Sequence, residues 1–382
     1  MQTVKSSSVI FLILILSSFS NFCFAQLVPA DSLPINRAIR TAVPVLRFSP
    51  DARGSAMGNA ATAISSDVNA TFWNPSKLTF LEKEWNFGAS YSPVFRRVVN
   101  GMWFVYFSAA KKLNEKQAVA ISSRYFNKGN IIFTNQQGNL KSEPIGSDFT
   151  LDATFAQKVS EKLSIAGTFR FIRSNQLVYD TSNSFNSTQN VGAVDVSAFY
   201  KTDFSINEKK VDWNLGINVS NIGSPISYIA NIEEYLPTNL AIGTALIHHF
   251  NQDNLFTIAF DVNKLLVPTP NSSSNLIPKK SVASSIFNSF SDAPNGFSEE
   301  MQELILALGV EYSYKNTFKI RSGYYHENEN KGNNSYFTFG LGVERKALAL
   351  NASIAKGSTN SPNDSTVQLS LICSFGSKKE NL

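Results

Sequence analysis

The run Trp213-Asn-Leu-Gly-Ile-Asn-Val-Ser220 decides the fold class. Trp213, Leu215, Ile217 and Val219 alternate with Asn214, Gly216, Asn218 and Ser220, so a strand here has one greasy face and one small or polar face. The same period of two recurs at Phe256, Ile258, Phe260 and Val262 against Thr257, Ala259 and Asp261. It recurs again at Leu163, Ile165, Gly167, Phe169 and Phe171, and at Phe337, Phe339, Leu341 and Val343. Working outward, alternation interrupted by turn residues predicts about fourteen strands, an even number as is usual for bacterial outer-membrane barrels. They fall near 84–93, 101–112, 116–127, 147–157, 162–176, 190–203, 211–222, 237–249, 253–264, 303–314, 317–326, 334–344, 346–356 and 365–376. Each is long enough to cross a bilayer at a tilt.

The links between these strands alternate in length. KLNEKQ, KVSEKL, SINEKK, HFNQDN, YKNT and ERKA are short, whereas 94–100, 128–146, 177–189, 223–236, 265–302, 327–333 and 357–364 are longer. Tight periplasmic turns and longer external loops give outer-membrane barrels this asymmetry, which predicts that both chain ends are periplasmic. A soluble sandwich would also alternate, with its greasy face turned to a core. The last strand adds Val367, Leu369, Leu371, Cys373 and Phe375 on one face, as in barrels with an aromatic C-terminal strand, here followed by GSKKENL.

Other features agree with export. Lys5, the apolar run Val9 to Leu16 and the small residue Ala25 read as a signal peptide over 1–25. Its apolar core is short of the roughly 20 residues a spanning helix needs, so any membrane residence falls to strands. Cys23 would leave with the signal, and Cys373 alone allows no intramolecular disulfide. Charged residues make up 16% of the chain and the net charge is +5 without one basic cluster, which argues against a nucleic-acid partner. His248, His249 and His326 are the only histidines. No nucleophile or carboxylate pattern accompanies them, and neighbours at i and i+1 point to opposite strand faces, so neither an enzyme nor a metal or other cofactor is expected.

One segment breaks the pattern: 49–78 is rich in small residues and has no strand or helix period. A barrel of this size has a lumen wider than its lining side chains fill. Residues 26–82 therefore read as an N-terminal periplasmic segment that folds back into the lumen as a plug, with 83–376 as the barrel and 377–382 as a periplasmic tail. Irregular backbone is tolerated at membrane depth where protein surrounds it. Arg53 and Asp51 are expected to pair with lumen charges, and alternation puts Glu311, Lys319 and Arg321 on the inner face. A structural network is one reading of these charges and ligand gating by the plug is the other. Asn74-Pro75 is expected to end the segment before the first strand.

Within 51–78, DARGSAMGNAATAISSDVNATFWNPSKL carries Asp51, Arg53, Met57, Gly58, Asp67, Asn74 and Pro75 in a skeleton that resembles the plug of the broad FadL-like outer-membrane family. Further blocks narrow the resemblance: NKLLVPTP (263–270), SFSDAPNGFSEE (289–300), RSGYYHENENKGNNSYFTFGLGV (321–343) and LPTNLAIGTAL (236–246). With these the chain resembles the PorV family, outer-membrane cargo-shuttle subunits of the type IX secretion system. The resemblance implies partners: the translocon barrel, the surface attachment complex and the C-terminal signal domains of secreted cargo. It implies no bond made or broken by the barrel.

The longest external link, 265–302, carries more apolar side chains than a spacer needs. Phe287, Phe290 and Phe297 stand among Asp292 and Pro294, and Ser298 followed by Glu299 and Glu300 reads as a helix N-cap with acids in its first turn. These seven side chains, Phe287, Phe290, Asp292, Pro294, Phe297, Glu299 and Glu300, are the candidate partner-binding residues. The competing reading folds them down over the barrel mouth. Three functions follow: a cargo-binding secretion subunit, a FadL-like channel for hydrophobic solutes with a greasy pocket beside the plug, and a purely structural barrel.

Overall fold

The computed structural model describes residues 38–94, 101–134, 140–180, 183–270, 278–357 and 366–376. The expected signal peptide and C-terminal tail lie outside them. In chain order the strands are β1 (Trp85–Pro93), β2 (Met102–Lys112), β3 (Gln117–Lys128), β4 (Asn130–Thr134), β5 (Leu140–Pro144) and β6 (Gly146–Lys158). Then come β7 (Leu163–Asp180), β8 (Asn183–Ile206), β9 (Lys209–Gly223), β10 (Ile226–Ile229), β11 (Ile232–Glu234) and β12 (Asn239–His249). The last six are β13 (Asn254–Leu265), β14 (Ile305–Tyr314), β15 (Phe318–His326), β16 (Tyr336–Arg345), β17 (Leu348–Gly357) and β18 (Val367–Phe375).

Fourteen of these form one closed antiparallel barrel. The seam joins β1 to β18, with Phe87 opposite Cys373 and Tyr91 opposite Leu369. All fourteen coincide with strands expected from alternation. The remaining four form two small hairpins, β4–β5 and β10–β11, inside links read from sequence as loops.

Burial is inverted relative to a soluble protein. Leu341 is 62% exposed and Ile121 60%, while Arg170 is 2% exposed. Along β16, Phe337, Phe339, Leu341 and Val343 face outward while Thr338 is fully buried. A sandwich would bury the greasy face, so the sandwich alternative is overturned: apolar side chains face lipid and polar ones face the lumen.

The short links are tight. Asn207 and Glu208 alone join β8 to β9, both with positive φ, and Lys315 and Asn316 repeat that geometry between β14 and β15. Mirror-image turns of this kind match the twist of the paired strands. At the other end the chain rises higher than expected. The link read as 177–189 is mostly strand: β7 and β8 stay paired to Asp180 opposite Asn183. Outward side chains change from Phe169 and Phe171 to Arg173 and Asn175 along β7, so this upper hairpin stands above the apolar band.

The N-terminal segment also departs from expectation. It does not enter the lumen from the short-turn end. Ile39 packs against Tyr235, Leu265 and Val267, and Ala42 N–H donates to Tyr235 C=O, all at the long-link end. Val43, Val45 and Leu46 then fill that mouth together with Phe104, Phe126, Ile172, Tyr228 and Leu236. From there the chain descends to the short-turn rim and enters β1. Burying apolar side chains inside the mouth, away from both water and lipid, fixes this direction.

Candidate functional site: lumen plug and external loop

The plug is built from short pieces locked by capping. Asp51 caps the turn Ala52–Ala56 by accepting from Gly54 N–H at 3.0 Å, and its second oxygen accepts from Trp73 Nε1 at 2.7 Å. It therefore holds the plug to itself and does not reach a lumen charge, contrary to expectation. Arg53 does both: it meets Asp67 at 2.8 Å within the plug and Glu311 of β14 at 3.4 Å. Glu311 also pairs with Arg321 of β15, and Arg321 donates to Asn351 at 2.9 Å. These buried charges are compensated in pairs, which is what a low-dielectric site requires. Lys319 shares the inner face but pairs with Glu344 near the rim, away from the plug.

Gly58 takes φ +63° and donates its N–H to Thr338 Oγ1 at 3.0 Å. Met57 and Gly58 lie directly on the glycines of the wall. A Cβ at Gly323 would meet Gly58 N at 2.1 Å, and one at Gly309 would meet Met57 O at 2.4 Å. Backbone touches backbone here, a use of glycine within strands that the sequence reading did not exploit. Asp261 of β13 accepts from Ala61 and Thr62 N–H at 2.9 and 2.8 Å, satisfying irregular backbone at membrane depth. Asn74 caps Ser76 and donates to Thr62 C=O and Ala198 C=O. Pro75 opens a further 3₁₀ turn, Pro75–Phe80, so Asn74-Pro75 does not end the segment. Lys77, in that turn and outside the spanning strands, is pushed down to about 8 by burial, and its ammonium donates to Ala61 C=O at 2.7 Å.

Beside the plug lies a small cavity of about 90 Å³, lined by Phe72, Trp73 and Ile305 as well as Arg124, Arg170 and Asp195. Arg170 bridges Asp152 and Asp195, each at 2.8 Å, and Arg124 shares Asp152. The larger apolar hollows, of about 560, 510 and 370 Å³, open on the outer wall between lipid-facing side chains.

Among its described residues the long link 265–302 carries two short helices, Val282–Asn288 and Phe297–Gln302. Phe287 is 77% and Phe297 79% exposed, with Phe290 and Met301 also exposed; Pro294 lies on the same outer side. The second helix is capped by Gly296 at φ +69°, so it starts before Ser298. That start turns Glu299 and Glu300 inward, and neither forms part of the exposed surface. Glu299 accepts from Asn295 N–H and pairs with Lys331 at 2.7 Å; Glu300 accepts from Ala293 N–H and pairs with Lys264 at 2.9 Å. Glu303, missed in the sequence reading, meets both lysines at 2.7 and 2.8 Å and also Thr269. Asp292 is half-buried between Lys280 and Thr269.

The geometry defines an outer-membrane barrel of FadL-like architecture with a filled lumen. Solved structures agree on the fold. The chain matches a Pseudomonas putida toluene transporter, TodX, with a TM-score of 0.53 and 12% identity, covering 87% of this chain and 99% of that one. It matches the CymD monoaromatic hydrocarbon channel with a TM-score of 0.52 and 12% identity, covering 86% and 98%. Identity this low speaks for the fold alone. No curated protein matches the sequence. A family model does: type IX secretion system protein PorV, over residues 32–272. The chain belongs to the PorV family of type IX secretion proteins, which places it in the outer membrane.

Proposed function

We propose that the protein is a non-enzymatic shuttle subunit: it takes the C-terminal signal domain of exported cargo at the translocon and delivers it to the surface attachment complex. The observation that carries the reading is the apolar surface of Phe287, Phe290, Phe297 and Met301 on a loop whose acids, Asp292, Glu299 and Glu300, are paired with lysines beneath that surface. Exposed aromatics held rigidly are partner anchors more often than spacers. Pro294 contributes to this surface, and Asp292, Glu299 and Glu300 serve it indirectly from below.

The alternative, a channel for hydrophobic solutes, calls for an apolar pocket inside the lumen. Among the described residues the cavity beside the plug is small, about 90 Å³, and its lining mixes Phe72, Trp73 and Ile305 with the buried ions Arg124, Arg170 and Asp195, so it offers a hydrophobic solute no continuous apolar pocket, which favours the secretion reading. The plug network, likewise, supports a structural role over ligand gating. The test is a mild-detergent pull-down of the tagged protein from its native cells with mass spectrometry. Recovery of a very large barrel with secreted proteins sharing one C-terminal domain supports the shuttle. Recovery of the protein alone with bound fatty acid or other lipid supports the channel.

A further inference from the structure

We infer that Lys264 and Lys331 are positioning residues for the docking loop, acting through Glu299, Glu300 and Glu303 to hold its aromatic surface in one orientation. The inference rests on the docking reading above and adds residues that lie outside the exposed surface. Lys264 comes from the end of β13 and Lys331 from the link between β15 and β16, so the two cations belong to different walls of the mouth. Each ammonium meets two carboxylates, and Glu303 is shared by both. The second oxygens of Glu299 and Glu300 are taken by the loop's own Asn295 and Ala293 N–H groups, and Thr269 adds a bond to Glu303. All five charged side chains are nearly fully buried.

The arrangement has a geometric consequence. Glu299, Glu300 and Glu303 lie on one side of the Phe297–Gln302 helix and fix its rotation, which leaves Phe297 and Met301 on the other. Asp292, tied to Lys280 and Thr269, fixes the approach from the first helix, where Phe287 projects. A loop packed only through its aromatics would bury them; this loop is held by charges and leaves Phe287, Phe297 and Met301 exposed, while Phe290 lies half-exposed with the Lys264 ammonium 6.0 Å from its ring. A buried pair is costly to break from one side, because the remaining charge is left unpaired. Removing both lysines therefore releases the helix.

The experiment uses the full-length protein in native membranes with three variants: Lys264→Met/Lys331→Met, Lys264→Arg/Lys331→Arg, and the surface variant Phe287→Ser/Phe297→Ser. Barrel insertion is read by heat-modifiable gel mobility, loop order by the rate of chymotrypsin cleavage within 282–302, and docking by co-purified secreted proteins. The methionine pair is expected to insert normally, to be cleaved about tenfold faster and to lose about tenfold in capture. The arginine pair keeps capture, because the charge is restored. If the methionine pair fails to insert, Glu303→Gln gives the same readouts while keeping side-chain volume. Loss of capture in the serine variant together with full capture in the methionine pair overturns the positioning role while leaving the docking reading intact. Full capture in the serine variant overturns the docking reading itself, and the positioning role with it.

Discussion

The contact between plug and wall gives a sharp prediction at Gly323. In Gly323→Ala the new Cβ would stand 2.1 Å from Gly58 N and 2.3 Å from Met57 C, short of ordinary 3.4 Å contact by about 1.3 Å for the nearer atom. Neither neighbour is a flexible side-chain end. Both are backbone of a turn fixed by Thr338 and by the positive φ of Gly58, so relief requires moving the plug. Overpacking of this kind costs about 1–3 kcal/mol, with the upper part of the range expected because both colliding atoms are main chain. A local cost of that size speeds exchange of the amides over 54–64 by roughly 5- to 150-fold where exchange follows local opening. Gly167→Ala is the control, since a Cβ there meets nothing within 4 Å. The assay is hydrogen exchange with mass spectrometry in detergent micelles. Equal exchange over 54–64 in Gly323→Ala and Gly167→Ala would refute the claim that backbone contact holds the plug.

Four further outcomes are expected. Arg53→Met and Glu311→Gln should each loosen the plug by about 3–5 kcal/mol and the double variant by less than the sum, measurable as a double-mutant cycle in the same exchange experiment. Lys77 binds fewer protons folded than unfolded between pH 8 and 10.5, so plug stability should rise with pH across that window by up to about 3 kcal/mol and stay level below about pH 8; Lys77→Met should abolish the slope. Capture of partners should persist from about 0.15 to 1 M salt, because no charge in the docking surface is left to screen. In planar bilayers the protein should pass no current, whereas Leu46→Asp, which puts a charge into the apolar seal at the mouth, should yield conducting steps.

The barrel was legible because its rule is local. Alternation in WNLGINVS, or in β16, says which residues face lipid without knowledge of any partner strand, and all fourteen barrel strands follow from it. Where the rule is not local the reading failed. Residues 177–189 contain Asn, Ser and Thr without greasy alternation, because above the membrane neither face of the hairpin needs to be apolar; only cross-strand pairing reveals the strands. The direction of the N-terminal segment depends on Val43, Val45 and Leu46 finding Tyr228 and Leu236, contacts nearly two hundred residues away in the chain. At the loop, sequence left the aromatics either exposed or folded over the mouth, and Glu299 and Glu300 looked like surface acids. Their partners, Lys264 at the end of β13 and Lys331 in the β15–β16 link, are distant in sequence, and the Gly296 cap that rotates the helix differs by two residues from the serine that was expected to start it. Arg53 and Glu311 were placed correctly because plug and inner face each announced a buried charge.

The clearance between plug and wall also constrains the order of assembly. With Met57 and Gly58 seated closer to Gly309 and Gly323 than any side chain would allow, a folded plug has no clearance to slide as a rigid body along a finished lumen. Seam closure between β1 and β18 joins the two ends of the sheet, and the plug precedes β1 in the chain. A sheet that wraps around a plug already in place, as a mould is closed on its core, meets this clearance directly, whereas a chain that shuts its seam first has to thread the segment in unfolded and fold it against the wall.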